Sequence, residues 1–271
     1  MTSTHALLKK YNIRPKKRLG QHFLHADPTI KKIVSSLEID DDFIIEIGPG
    51  PGIMTKYIAE KAKHLYAIDT DSAMIDVASE ELSEYKNIEW VNDDILNVDL
   101  AKLLPKKKIV KIIGNLPYNI SSQIIFWMID NRDKISSAVI MLQKEVALRI
   151  CAKSGGRDYG ILSVISQAFS SCKKLFDVSA GNFIPPPEVT SSVIMMDFQN
   201  VDYDIDDEAH FKKVVKAAFG KRRKTIRNSL LGAKFKAEVI DASLFSSDID
   251  PKRRAETLSI NEFIELSRHI S

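Results

Sequence analysis

Cysteine is scarce in this chain. Two residues, Cys151 and Cys172, are too few for a disulfide framework and lack the CxxC spacing of a zinc site, so a reducing, cytoplasmic setting is expected and no metal. Long apolar runs are missing too. Stretches such as Ile109 to Ile113, with Lys111 inside, fall far short of the ~20 residues that span a bilayer, which argues against a membrane protein. The N-terminus is basic but has neither the apolar stretch nor the small-residue cleavage site of a secretory signal, so export has no support. Two segments contain no acid at all. Residues 1–24 carry six Lys or Arg, among them Lys16, Lys17 and Arg18, and residues 211–236 carry ten, including Lys221, Arg222, Arg223, Lys224 and Arg227. These sixteen positive charges against a net charge of +3 leave the rest of the chain at −13. Such asymmetry points to a polyanionic partner with the basic segments as phosphate contacts. Two solvated charged faces account for the charge alone equally well.

With 271 residues, 44% of them hydrophobic, the chain can bury one substantial core and carry a smaller appended unit. From Thr29 onward, helix-like stretches alternate with short β-rich runs. Helical patterns cover Thr29–Leu37, Ile53–Ala62, Ser72–Leu82 and Gln123–Ile129; strand patterns cover Phe43–Ile47, His64–Ile68, Ile88–Val91, Ile109–Ile113 and Ser137–Leu142. This order predicts a parallel, doubly wound α/β sheet. The runs around Lys173–Val178 and Ser191–Phe198 complete it as an antiparallel pair. After Phe198 the composition shifts: the acidic Asp202–Glu208 has turn chemistry, and Phe211–Ala218, Lys224–Leu231 and Ile260–His269 look helical. The expected organisation is a basic segment over 1–24, an α/β domain over 25–203 and a small helical domain over 204–271.

Glu46-Ile-Gly48-Pro-Gly50-Pro-Gly52 follows the first strand and precedes a helix. Glycines there let a ligand approach the backbone, and the helix N-terminus offers free N–H groups. The spacing is GxGxG, without a Walker lysine, and its place after strand one favours a nucleoside ligand. Asp69, at the second strand's end, stands where this fold puts an acceptor for ribose hydroxyls; Asp71 competes for that role, though it also suits a helix N-cap. Asp93 and Asp94 follow the third strand, where an acid can accept from an adenine amine or close an Asx turn.

Gly114-Asn115-Leu116-Pro117-Tyr118-Asn119 after the fourth strand is the most specific signal. An amine on a planar heterocycle is a poor nucleophile, because its lone pair is delocalised into the ring. The Asn115 side-chain oxygen and the Pro117 carbonyl supply acceptors for charge developing on that nitrogen, while Tyr118 can stack on the base. A sulfonium methyl is already activated, so orientation does most of the work. Phe183-Ile184-Pro185-Pro186-Pro187 offers an aromatic beside a stiff segment, suited to clamping a flipped base; such loops are also often plain linkers.

These motifs, with Gly20-Gln21-His22-Phe23-Leu24, Met141 to Glu145 and Arg222 to Leu230, resemble the ribosomal RNA adenine N6,N6-dimethyltransferase family in its bacterial small-subunit (16S) branch, over about residues 15–270. The resemblance implies a Rossmann-like methyltransferase domain with a helical cap, S-adenosyl-L-methionine as cofactor, and two methyl transfers to each target adenine. It places His22, Leu24, Gly48, Gly50, Asp69, Asp94 and Asn115 at the cofactor, and Tyr118 and Phe183 at the target base. Two positions depart from the family pattern, which often has asparagine at His22 and glutamate at Asp69. The implied partner is 16S rRNA in the immature small subunit, met by a monomer. The competing readings are the large-subunit rRNA dimethyltransferase and a non-catalytic ribosome-assembly factor that binds RNA.

Overall fold

Short, mostly apolar runs rich in β-branched residues suit central strands covered on both faces, and Phe43-Ile-Ile-Glu-Ile47 and Val110-Lys-Ile-Ile-Gly-Asn115 take that place in a computed structural model of the chain. It describes residues 4–16, 19–201, 203–221 and 223–270. The elements in chain order are α1 (Thr4–Lys10), β1 (Phe23–Leu24), α2 (Asp27–Ser36), β2 (Phe43–Ile47), α3 (Ile53–Ala59), β3 (His64–Asp69), α4 (Ser72–Glu81), β4 (Ile88–Asn92), α5 (Leu100–Leu103), β5 (Val110–Asn115), α6 (Ser121–Asp130) and β6 (Ile135–Gln143). There follow α7 (Lys144–Ile150), α8 (Ile161–Phe169), β7 (Ser171–Val178), β8 (Phe183–Ile184), β9 (Ser191–Asp197), α9 (Glu208–Phe219), α10 (Ile226–Gly232), α11 (Ala237–Ser246) and α12 (Ile260–His269).

Seven strands form one sheet in the order β4-β3-β2-β5-β6-β9-β7. From β4 to β6 neighbours run parallel, and β9 joins β6 antiparallel, Val139 opposite Met195. The chain leaves β2 outward to β3 and β4, then returns to β5 on the other side. The crevice beyond the carboxyl ends of β2 and β5 is therefore the switch point at which such sheets bind ligands. There Ile47 pairs with Gly114. A Cβ on Gly114 would lie 2.6 Å from the Ile47 carbonyl oxygen, so only glycine permits this approach. β1 and β8 make a separate antiparallel pair, Leu24 opposite Phe183.

The chain divides into two compact units, one of residues 1–147 and 173–199, the other of 148–172 and 200–271. The second unit thus claims α8, which the expected single boundary at 203 left in the α/β domain. Phe169 at its end meets Phe211 edge-on at 6.1 Å, within a core that includes Leu230, Leu244, Leu258 and Phe263. The acidic stretch before α9 works as its cap: Asp207 accepts from the His210 N–H. Ser259 and Glu262 close a capping box on α12. Among the described residues no helix is long and apolar enough to cross a membrane.

Candidate functional site

The loops that follow β2, β3 and β5, with the segment Leu19–Leu24, enclose a cleft of about 310 Å³. His22, Leu24, Gly48, Gly50, Asp69, Asp94, Asn115, Pro117 and Tyr118 all line it. The loop after β2 is fixed from behind, where the Gly48 N–H donates to the Ile68 carbonyl at 2.9 Å. Gly50 holds φ at +54°, and a Cβ there would press on the Phe23 ring at 3.1 Å. A side chain at this position is therefore both strained and obstructed.

Asp69 lines the cleft and Asp71 does not. The Asp69 carboxylate accepts from the Gly50 N–H at 3.3 Å and the Asp71 N–H at 2.9 Å, which set its orientation. Burial pushes its carboxyl above the usual range, and these two backbone bonds offset part of the rise. Asp71 stands at the N-cap position of α4, but its side chain makes no cap bond of good geometry and only a weak interaction with the Ala73 N–H. It accepts from Lys16 Nζ at 2.7 Å and Gln21 Nε2 at 2.9 Å instead. Asp94 accepts from the Leu96 N–H at 3.0 Å, capping the short turn Ile95–Asn97; the Asx geometry and the place in the cleft coexist.

Asn115 ends β5, and its side-chain NH₂ donates to the His22 carbonyl at 2.9 Å. That bond commits the nitrogen and leaves Oδ1 as the acceptor for a ligand. The Tyr118 hydroxyl and Ser191 Oγ share a hydrogen bond at 2.7 Å, and the ring stacks on His22 at 5.6 Å between centroids. Burial raises the Tyr118 phenol further above neutrality, partly countered by Ser191. His22 Nδ1 lies 2.8 Å from the Pro185 carbonyl, tying the proline segment to the cleft.

Phe183, expected at the target base, sits behind the cleft and not in its lining. It is 2% exposed, belongs to the core with Leu24, Ile30 and Met141, and does not line the cleft. Pairing of β8 with β1 aims its ring inward, where it packs against other side chains.

Glu46 was read only as part of the glycine motif, yet it is the most unusual group in the cleft wall. It is fully buried, and neither carboxylate oxygen has a hydrogen-bond partner. Burial pushes its carboxyl up to about 8; the Thr55 hydroxyl lowers it in part without reaching hydrogen-bond geometry, and Asp69 adds to the rise. The signal was a lone acid inside the apolar strand Phe43–Ile47. An orphaned acid beside a glycine-lined cleft suits a cationic nucleoside, so the residues present fit S-adenosylmethionine.

The basic residues divide. Lys16 is engaged with Asp71, and Arg227 forms a two-pronged pair with Asp241 at 2.6 and 2.7 Å. The sequence between Lys221 and Arg227 offers no acid, but α11 brings one. Lys221, Arg223 and Lys224 are exposed in the turn between α9 and α10, not on a helix, because Thr225 caps α10 and starts it at Ile226. Lys17, Arg18 and Arg222 lie outside the described residues.

A model of the ribosomal RNA adenine dimethylase family matches residues 12–271. The ribosomal RNA small subunit methyltransferase A of Desulforapulum autotrophicum is 44% identical over 273 residues, covering 98% of this chain and 96% of that protein. Its counterpart of the same name in Clostridium acetobutylicum is 40% identical over 270 residues, covering 99% and 98%. Among solved structures, a dimethyladenosine transferase from Plasmodium falciparum superposes with a TM-score of 0.74 at 25% identity, covering 90% of this chain and 96% of that one. The 23S rRNA methyltransferase ErmE, at 23% identity and a TM-score of 0.70 over 92% and 99% of the two chains, shares the fold. With a family match over nearly its whole length and the cleft residues in place, the chain belongs to the ribosomal RNA adenine dimethylase family.

Proposed function

We propose that this chain transfers two methyl groups to the N6 amine of each target adenine in small-subunit (16S) rRNA, and that it meets that RNA as a cytoplasmic monomer on the immature small subunit. The enzyme is an S-adenosylmethionine-dependent rRNA adenine dimethyltransferase. The observation that carries the residue assignment is the orientation of Asn115, whose nitrogen is held by the His22 carbonyl while its oxygen is left for a ligand. Gly48, Gly50, Leu24 and His22 would surround the cofactor. Asp69 would accept from its ribose and Asp94 from its adenine amine. When bound, the cofactor supplies an activated methyl on a sulfonium.

The chain's own groups do the remainder. Asn115 Oδ1 and the Pro117 carbonyl accept from the target N6 amine and favour its pyramidal form, drawing the lone pair out of the ring and stabilising the positive charge that grows on nitrogen. Tyr118, anchored on Ser191 and backed by His22, offers the aromatic surface for the base. Holding the amine in line converts a two-body encounter into one step. Lys221, Arg223 and Lys224 supply phosphate contacts that position the RNA.

The test offers tritiated S-adenosylmethionine with undermethylated small subunits and, separately, with naked large-subunit rRNA, followed by nucleoside analysis. Dimethyladenosine in the small-subunit arm is expected. Label confined to the large-subunit arm would transfer the assignment to that RNA, and label in neither would leave a binding factor.

A further inference from the structure

We propose that Asp71 is a positioning residue: through Lys16 and Gln21 it holds one wall of the cofactor cleft in place. That wall is Leu19–Leu24, six consecutive residues that all line the cleft. Its far end is well secured. Leu24 pairs with Phe183, the His22 carbonyl accepts from Asn115, and Thr4 Oγ1 donates to the Leu24 carbonyl at 3.4 Å. Its near end is tied by a closed triangle, two edges between side chains and the third from the Lys16 backbone. Asp71 Oδ1 accepts from Lys16 Nζ, Asp71 Oδ2 accepts from Gln21 Nε2, and Gln21 Oε1 accepts from the Lys16 N–H at 2.9 Å.

The strongest partners of Asp71 belong to this tie and not to its own helix. Its side chain is 2% exposed while that of Lys16 is 42% exposed, and at the N-cap position of α4 its interaction with the Ala73 N–H is weaker than those with Lys16 and Gln21. Burial alone would push its carboxyl up, but the bonds from Lys16 and Gln21 outweigh that and hold it below the usual range. A buried carboxylate deprived of its cation is strongly disfavoured, so loss of the Lys16 side chain removes the charged edge of the triangle and leaves Gln21 to hold Asp71 alone. The backbone adds a second link, because the Asp71 N–H donates to the acid expected at the ribose, Asp69 Oδ1. One residue thereby sets both the near end of the wall and the orientation of a ligand-facing carboxylate across from it.

This inference rests on the reading that S-adenosylmethionine occupies this cleft. The experiment measures the dissociation rate and affinity of S-adenosylmethionine and S-adenosylhomocysteine without RNA, in the wild type and in Lys16→Met, Lys16→Arg, Gln21→Leu, Asp71→Asn and Asp69→Ala, each with its melting temperature. Dissociation about tenfold faster is expected in Lys16→Met and Asp71→Asn, about the loss of one charged hydrogen bond. The double variant Lys16→Met with Asp71→Asn should be no worse than Lys16→Met alone, and Lys16→Arg should recover most of the loss in both dissociation rate and melting temperature. Wild-type dissociation in both Lys16→Met and Gln21→Leu would overturn the proposal and leave Asp71 serving α4 alone. If Asp69→Ala also binds normally, the cofactor lies elsewhere and the reading beneath fails; if Asp69→Ala binds weakly, only the positioning role is lost.

Discussion

The cleft and the basic turn treat polar groups in opposite ways. In the cleft, Asp69, Asp94 and Asn115 each face the ligand space while making hydrogen bonds to backbone groups of their own unit. Their positions are fixed before anything binds. Between α9 and α10, Lys221, Arg223 and Lys224 stand exposed, and among the described residues no carboxylate pairs with them. Chemistry on one nitrogen requires groups already in place, whereas attraction to a polyanion requires only charge near its path. The two regions should accordingly fail in different ways.

The largest effect is expected where a residue named for binding is a core residue. Phe183→Ala should lower stability by about 3–5 kcal/mol, as for other buried aromatics, with denaturant unfolding as the measurement. Slower transfer at unchanged stability would return Phe183 to the base and put the buried position in error. Asn115→Ala should next reduce kcat by about a hundredfold or more, with little change in RNA affinity, because its contacts strengthen as charge develops on the attacking nitrogen. Single-turnover kinetics on saturated complexes separates the two, and a variant that turns over normally would remove Asn115 from the mechanism.

Replacing Lys221, Arg223 and Lys224 together with alanine should weaken small-subunit binding and flatten its salt dependence by up to about 0.7–0.9 log units of slope per lost contact. Cofactor affinity should be unchanged. A wild-type salt profile would mean that this turn does not dock the RNA.

What could be read in advance follows the same division. The cleft residues were legible because strand ends, glycine turns and an acid after a strand are local patterns, and the parallel sheet brings those ends together by topology. Partnerships across long separations were not legible. Phe183 is buried because β8 pairs with β1, two strands of two residues each, too short to leave a periodicity. Lys16 meets an acid 55 positions on, and Arg227 one 14 positions on. The run Ile161–Phe169 is apolar on most sides, so its pattern alone could not say which core would take it.

The smallest effect concerns Glu46 and sharpens the contrast between fixed and available charge. With its carboxyl raised to about 8, Glu46 is protonated and neutral at pH 7 in the unliganded protein. A sulfonium or ammonium placed against it favours the carboxylate and lowers its pKa, so binding releases a proton at pH values between that lowered pKa and about 8. Affinity for S-adenosylmethionine should therefore rise with pH, by at most about tenfold per unit, and level off above pH 8. Stability should move the other way. A raised carboxyl binds more protons folded than unfolded, so its contribution is complete below the unfolded value of 4.5 and is lost as the pH climbs through about 8. Glu46→Gln should flatten both trends, and calorimetry in buffers of different ionisation enthalpy reads the released proton directly. Affinity that is flat from pH 6 to 8 in the wild type would show that no cation of the ligand reaches this carboxylate, and that its burial serves the strand alone.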